Sequence, residues 1–220
     1  MRMKIKVKAT KIAIPGSNLM GLASISFGKD IFIRSIELMK GKDDKIFVSF
    51  PSVKIGNTYK EVCNPINKEF RKKLTDAIME SYHSAQNVEF EDGKDGELVM
   101  VAYPTISNGK KVGEAKMYIN DNFVISDISI YKVNSGKLYP VLPSYKKREF
   151  KPSGDPMYES FCTIRKGIED VVKKAIVNEY LATLKDEKEG RISIKGKLNE
   201  NKEKISQAVS KPACRNELVK

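Results

Sequence analysis

Two short stretches place cations where they could meet phosphate. Residues 47–54 read FVSFPSVK and residues 139–146 read YPVLPSYK. In each, an apolar run stops at Pro-Ser and a lysine follows two places on: Pro51-Ser52-Val53-Lys54 and Pro143-Ser144-Tyr145-Lys146. Proline has no N–H to give a β-ladder, so it ends the strand. A serine hydroxyl and a lysine held at that exit suit a phosphate oxygen, a contact that sets affinity and register but not sequence choice. The plainer reading is a strand ending with a solvated lysine. The second stretch continues as Lys147-Arg148, with Lys151 beyond and Tyr145 and Phe150 interleaved. Cations among aromatic rings suit backbone contact plus base stacking, and a charged loop is the alternative. Arg71-Lys72-Lys73 are consecutive on an expected helix and fan around it, so only part of the cluster, Arg71 and Lys72, is assigned to a ligand; a solvated helix face competes with that assignment.

Other chemistries find no such support. His83 is the only histidine and sits at an expected helix C-terminus, where a cation is favourable. No His/Cys/Asp/Glu set has metal-ligand spacing. Neither a Walker lysine loop nor GxGxxG occurs, and Ser52 and Ser144 are not in a nucleophile elbow. The expectation is a protein that is not an enzyme and uses no cofactor or metal. Cys63, Cys162 and Cys214 lie far apart and form no CxxC, which suits reduced thiols in a cytoplasmic protein.

The 220-residue chain carries 40 Lys+Arg against 28 Asp+Glu, a formal net charge of +12. Such an excess favours polyanions. It is greatest over residues 1–83, where 16 cations face 8 anions, with Arg2, Lys4, Lys6 and Lys8 on one face of an expected strand. That face is either an electrostatic seat for phosphate or the lysine guard of a sheet edge. The basic N-terminus lacks an apolar core of signal type. No apolar stretch approaches a membrane span.

The two Pro-Ser units lie 92 residues apart, and the same offset aligns Gly21–Lys54 without a gap. Gly21 meets Gly113, Ala23 meets Ala115, Ile33 meets Ile125 and Ile36 meets Ile128. A repeat follows. Apolar alternation predicts strands at 3–8, 19–27, 31–39 and 46–50, then at 98–103, 112–119, 123–131 and 138–142. Phe70, Leu74, Ala77, Ile78 and Tyr82 form one stripe of a helix over 67–83, with Asn67 as its N-cap. Ile164, Ile168, Val171, Val172, Ala175, Ile176 and Tyr180 do the same for a helix from about 160 to 184. The fold class is α+β: two tandem ββββα units, antiparallel sheets each with a packed helix, paired as a pseudo-dimer within the chain. The expected domains are unit 1 at 1–83, an acidic linker at 84–96, unit 2 at 97–184 and a basic, mostly disordered tail at 185–220 with a short helix around 198–209. YKKREFKPSGDP reads as a long polar loop holding six extra residues.

Four pieces of the first unit resemble the SpoVG family, the stage V sporulation protein G or septation regulator: ASI at 23–25, IFIRSI at 31–36, IFVSFPS at 46–52 and NPIN at 64–67. The second unit keeps LPS at 142–144 but has Thr163-Ile164-Arg165 where the first has Pro-Ile-Asn. The resemblance implies a small bacterial nucleic-acid-binding regulator of transcription or septation, whose members pair through their sheets and follow Pro-Ser with basic residues. The resemblance implies contacts by Lys54, Lys146, Lys147 and Arg148 and a DNA and/or RNA partner; Lys151, Arg71 and Lys72, read from the residues themselves, complete the candidate site. The rival reading is a protein-interaction module whose tandem sheet docks a protein partner and whose charge serves solubility.

Overall fold

Ile5, Val7 and Ala9 alternate with Lys4, Lys6 and Lys8 in the first strand, and the apolar set is buried while the lysines face water. This period of two recurs through the chain and builds two antiparallel sheets whose apolar faces look inward. The computed structural model describes residues 2–105 and 109–188. One compact unit spans Met1–Tyr180, and residues 181–188 belong to a second.

The first half holds β1 (Lys4–Lys11), β2 (Leu19–Phe27), β3 (Ile31–Lys40), β4 (Ile46–Ser49), β5 (Ser52–Ile55), β6 (Thr58–Glu61), β7 (Cys63–Pro65) and α1 (Lys68–Ser84). The second holds β8 (Val88–Glu91), β9 (Leu98–Pro104), β10 (Lys111–Ile119), β11 (Phe123–Lys132), β12 (Leu138–Val141), β13 (Ser144–Phe150), β14 (Pro156–Ser160), β15 (Cys162–Ile164) and α2 (Lys166–Lys188). One sheet runs β15-β3-β2-β1-β8, with β4 also on β3; the other runs β12-β11-β10-β9, with β7 also on β11.

Each half lends a strand to the other. β7 pairs antiparallel with β11, Cys63 opposite Ile125, and β15 pairs with β3, Cys162 opposite Ile33. The docking point is a bulge. Ser35 in β3 and Asp127 in β11 are at φ 58° and 59°, the left-handed region. Each bulge falls where the ladder shifts register, and it divides one strand edge between two partners. β4 takes one side of Ser35 and β15 the other; β12 and β7 divide β11 likewise. Arg34 N–H donates to Phe161 O at 2.8 Å, and Ser126 N–H donates to Val62 O at 2.7 Å.

α1 covers the inner face of the first sheet. Asn67 caps it, accepting from Phe70 N–H at 2.7 Å. Phe70, Leu74, Ala77, Ile78 and Tyr82 are all buried. Buried Ser81 accepts the Ala9 N–H and donates to Gln86 O, tying the helix to β1. Tyr82 closes over Gly21, and Tyr180 of α2 closes over Gly113. Phe27 and Phe123 meet at 4.9 Å between ring centroids, where the two inner faces join.

Several expectations need correction. The stretch given to a linker contains β8, because Val88 and Phe90 point inward while Glu91 and Glu89 lie opposite Lys4 and Lys6 of β1. β1 is therefore an interior strand, and its lysines guard no edge. β4 ends at Ser49, before Pro51, but the chain resumes as a strand at Ser52, directly after the proline. The polar loop after Pro143-Ser144 is a second hairpin, β13–β14. Cys63 and Cys162 occupy matching places 99 residues apart. The second hairpin is thus seven residues longer than the first, and the step from β15 to α2 is one shorter. Pro65-Ile66-Asn67 accordingly matches Ile164-Arg165-Lys166: Ile66 N–H bonds Asn122 O, and Arg165 N–H bonds Asp30 O. α2 begins at Lys166 because 162–164 serve as a strand, and Val171 is exposed. Residues 185–188 of the expected tail are helical. The remainder of the tail, with its expected helix at 198–209 and Cys214, lies outside the described residues.

Candidate nucleic-acid interface

The two Pro-Ser units open two β-hairpins. In the first, Gly56-Asn57 makes a two-residue turn, with Gly56 at φ 59°. Such a turn fixes every cross-strand pair: Ile55 faces Thr58, Lys54 faces Tyr59, and Ser52 faces Glu61. In the second, Ser144 faces Ser160, Tyr145 faces Glu159, and Lys146 faces Tyr158. Both hairpins close at their roots in the same way. Val62 N–H donates to Pro51 O at 2.8 Å, and Phe161 N–H donates to Pro143 O at 3.0 Å. Proline, which cannot donate, here serves as acceptor.

Each hairpin sets an exposed tyrosine across from its Pro-Ser lysine. Tyr59 is 73% exposed beside Lys54, and Tyr158 is 63% exposed beside Lys146. Lys146 Nζ also stands 5.3 Å from the centre of the exposed Phe150 ring. A cleft of about 370 Å³ at the hairpin roots is lined by Ser52 of the first and Tyr145 of the second, with Pro51, Ser35, Glu37 and Phe161.

The seven cations expected in the site fare differently. Lys54, Lys146 and Lys151 are exposed and make no ion pair among the described residues. Lys147 is bound to Glu149 at 3.2 Å and to Glu159 at 3.6 Å. Its hydrogen bond to Glu149, and the charges of Glu149 and Glu159, raise its pKa above the usual lysine range. Arg148 lies within β13. Lys72 pairs with Asp76 one turn along α1, at 2.6 Å. Arg71 is a structural clamp. Its two terminal nitrogens fork onto Glu61 at 3.1 and 2.5 Å, one of them also reaches Pro65 O at 3.2 Å, and the guanidinium lies 5.0 Å from the Phe50 ring. It thereby joins α1 to the base of the first hairpin.

Arg71→Lys keeps the charge and loses the planar fork. The pair is more than one-third exposed on both sides, so screening limits its contribution. The expected loss is about 1 kcal/mol, read from the urea midpoint, with the salt dependence of any nucleic-acid binding unchanged. Unchanged stability together with a flatter salt slope would make Arg71 a phosphate ligand instead.

Tyr59 and Tyr158 were not expected in the site. The Gly56-Asn57 turn carries the signal for Tyr59, because a two-residue turn places residues 54 and 59 opposite each other. The register shift between Lys146 and Phe150 hides the equivalent signal for Tyr158. Among the described residues, no group of three or more metal-ligating side chains converges, and no helix is long and apolar enough to cross a membrane.

The family match falls on the first half. The sequence model of the SpoVG family matches residues 2–84. A Clostridium beijerinckii protein that carries the septation-protein SpoVG name is 32% identical over 88 residues, covering 40% of this chain and 94% of that relative. Similarly named proteins of Treponema denticola and Finegoldia magna are 33% identical over 69 residues and 31% over 99. They are covered over 73% and 87% of their lengths, which correspond to 31% and 44% of this chain. The matched span contains β1 to β4, the first Pro-Ser hairpin, β7 and α1, and the chain belongs to the SpoVG family.

Proposed function

We propose that this protein is a nucleic-acid-binding regulator of the SpoVG type, working in the bacterial cytoplasm, and that its two halves act as a pseudo-dimer within one chain. The observation that carries this reading is the repeated pair, Lys54 with Tyr59 and Lys146 with Tyr158, each exposed on a hairpin opened by Pro-Ser. A lysine and an aromatic face side by side hold a phosphate and its neighbouring base together. The reciprocal exchange of β7 and β15 supports the pseudo-dimer, because each half completes the other's sheet.

Binding is tested by a salt series on DNA and RNA fragments. Releasing counterions makes affinity fall steeply with salt, and each lost phosphate contact flattens the slope by about one unit. Lys54→Ala and Lys146→Ala are each expected to do so with little effect on folding. Lys147→Ala is expected to change the slope less, since Glu149 and Glu159 already hold that charge. Parental binding by both exposed-lysine variants at every salt concentration would overturn the hairpin site.

The protein-docking alternative has one observation in its favour. The outer face of the second sheet exposes Val99 and Val101. Such docking would resist added salt.

A further inference from the structure

The lysines of β1 have lost their simplest explanation. Flanked by β2 and β8, they stand in the interior of a sheet whose outer face no helix covers among the described residues. Lys6 lies opposite Ser26 and Lys8 opposite Ser24; Ser26 in turn lies opposite Phe32 of β3. Lys6, Lys8, Ser24, Ser26, Phe32 and Arg34, with Asn87, line an open groove of about 260 Å³. The strand borrowed from the second half borders this groove, for Thr163 lies opposite Phe32.

Its charges are only partly answered. Lys6 pairs with Glu89 at 3.0 Å, and Lys4 faces Glu91 in register. Lys8 and Arg34 are exposed and have no ion pair among the described residues. Phe32 is 37% exposed in the middle of a sheet, where a large apolar side chain gains little unless something lies on it.

The second sheet builds the corresponding face from other residues. Its register sets Val99 and Val101 where the first has Lys6 and Lys8, and Val124 and Ser126 where the first has Phe32 and Arg34. Lys116 and Tyr118 of β10 stand where the first sheet has Ser24 and Ser26, so neither the fold nor the strand-exchanging bulge requires Lys8, Phe32 and Arg34 at their own positions.

We propose that the outer face of the β1–β2–β3 sheet is a second binding site, specific for single-stranded nucleic acid. One base stacks on Phe32, and the adjoining phosphates lie between Lys8 and Arg34, with the Ser24 and Ser26 hydroxyls within the groove. A flat platform bearing one ring and flanking cations receives an unpaired base, whose face is open. A duplex keeps its bases stacked and offers this face phosphates alone. The inference rests on the nucleic-acid reading above, at a site separate from the hairpins.

The chain has no tryptophan, so Phe32→Trp installs a single reporter at the platform. Its fluorescence is followed during titration with single-stranded and duplex oligonucleotides labelled for anisotropy, after circular dichroism has shown the parental fold. Saturable quenching by the single strand and not by the duplex is expected. In the otherwise parental chain, Phe32→Ala and Arg34→Ala should each weaken single-strand binding about five-fold or more. The Lys54→Ala/Lys146→Ala double variant should retain quenching of Trp at position 32 at reduced affinity. Oligonucleotide binding with a silent reporter and parental affinity in Arg34→Ala would overturn the platform and leave the hairpins standing. Equal quenching by duplex would overturn the single-strand assignment. No binding by any measure would overturn both sites.

Discussion

Gly113→Ala is expected to destabilise the protein by about 1–3 kcal/mol, seen as a lower urea midpoint. A glycine in a strand ordinarily invites replacement, because alanine restricts the unfolded chain and gains a few tenths of a kcal/mol to about 1. Here the sign reverses. A Cβ at Gly113 would lie 2.5 Å from Tyr180 Cε2 and 2.9 Å from Tyr103 O. The ring cannot slide away cheaply, since its hydroxyl donates to Val112 O at 3.1 Å, beside the glycine itself. Gly21→Ala meets Thr10 O at 2.8 Å and Tyr82 Cε2 at 3.0 Å, so its cost should be smaller but of the same sign. A double-mutant cycle separates the ring from the backbone. Once Tyr180→Ala has removed the ring, Gly113→Ala should cost much less than in the parent. Strictly additive costs would show that the ring contact does not matter.

The native thiols at Cys63 and Cys162 are expected to react with a disulfide reagent on the order of a thousand-fold more slowly than in the unfolded chain, measured in a Cys214→Ser background. Both are fully buried in the exchanged strands. Burial pushes the Cys162 thiol up to about 12. Burial, and then the neighbouring Cys162, also raises the Cys63 thiol well above its usual range. The reactive thiolate is therefore scarce at pH 8.5, where an unfolded cysteine is about half ionised. The same shift acts on stability. Below the ordinary thiol pKa both states are protonated and the thiols contribute no pH dependence. Above it, the unfolded chain releases protons that the folded chain retains, so stability falls as pH rises towards the folded value. Each such thiol contributes a slope of about 1.4 kcal/mol per pH unit. Cys162→Ala should flatten the decline above pH 8.5. An unchanged slope, or rapid native labelling, would show that these sites open to solvent.

Much of this architecture was legible because its signals are local. Ile5, Val7 and Ala9 repeat with the period of a strand, and Phe70, Leu74, Ile78 and Tyr82 with that of a helix. Both patterns are set by backbone geometry within a few residues. The exchanged strands were not legible. Cys63–Pro65 and Cys162–Ile164 are too short to carry a period, and their partners lie far away in the chain. β8 is hidden by its acids, which read as a linker in sequence although Lys4 and Lys6 lie opposite them in the sheet. The site divided along the same line. Repetition of Pro-Ser pointed to Lys54 and Lys146. Nothing near Arg71 in sequence reveals that Glu61 holds it, and nothing near Lys147 reveals that Glu159 of the facing strand joins Glu149 in holding it.

The exchange of β7 and β15 has a consequence in time. On a ribosome, Ile31–Ile33 of β3 is made about 130 residues before the Cys162–Ile164 strand that pairs with it. At ~5–20 residues per second, that edge waits roughly 6–26 s for its partner. Meanwhile β7 is already complete and has no β11 to join. A neighbouring nascent chain on the same message can supply either missing strand with the same hydrogen bonds, so a swapped assembly forfeits none of them. Crowded translation would therefore favour interlocked dimers, and slow, dilute synthesis the chain that closes on itself.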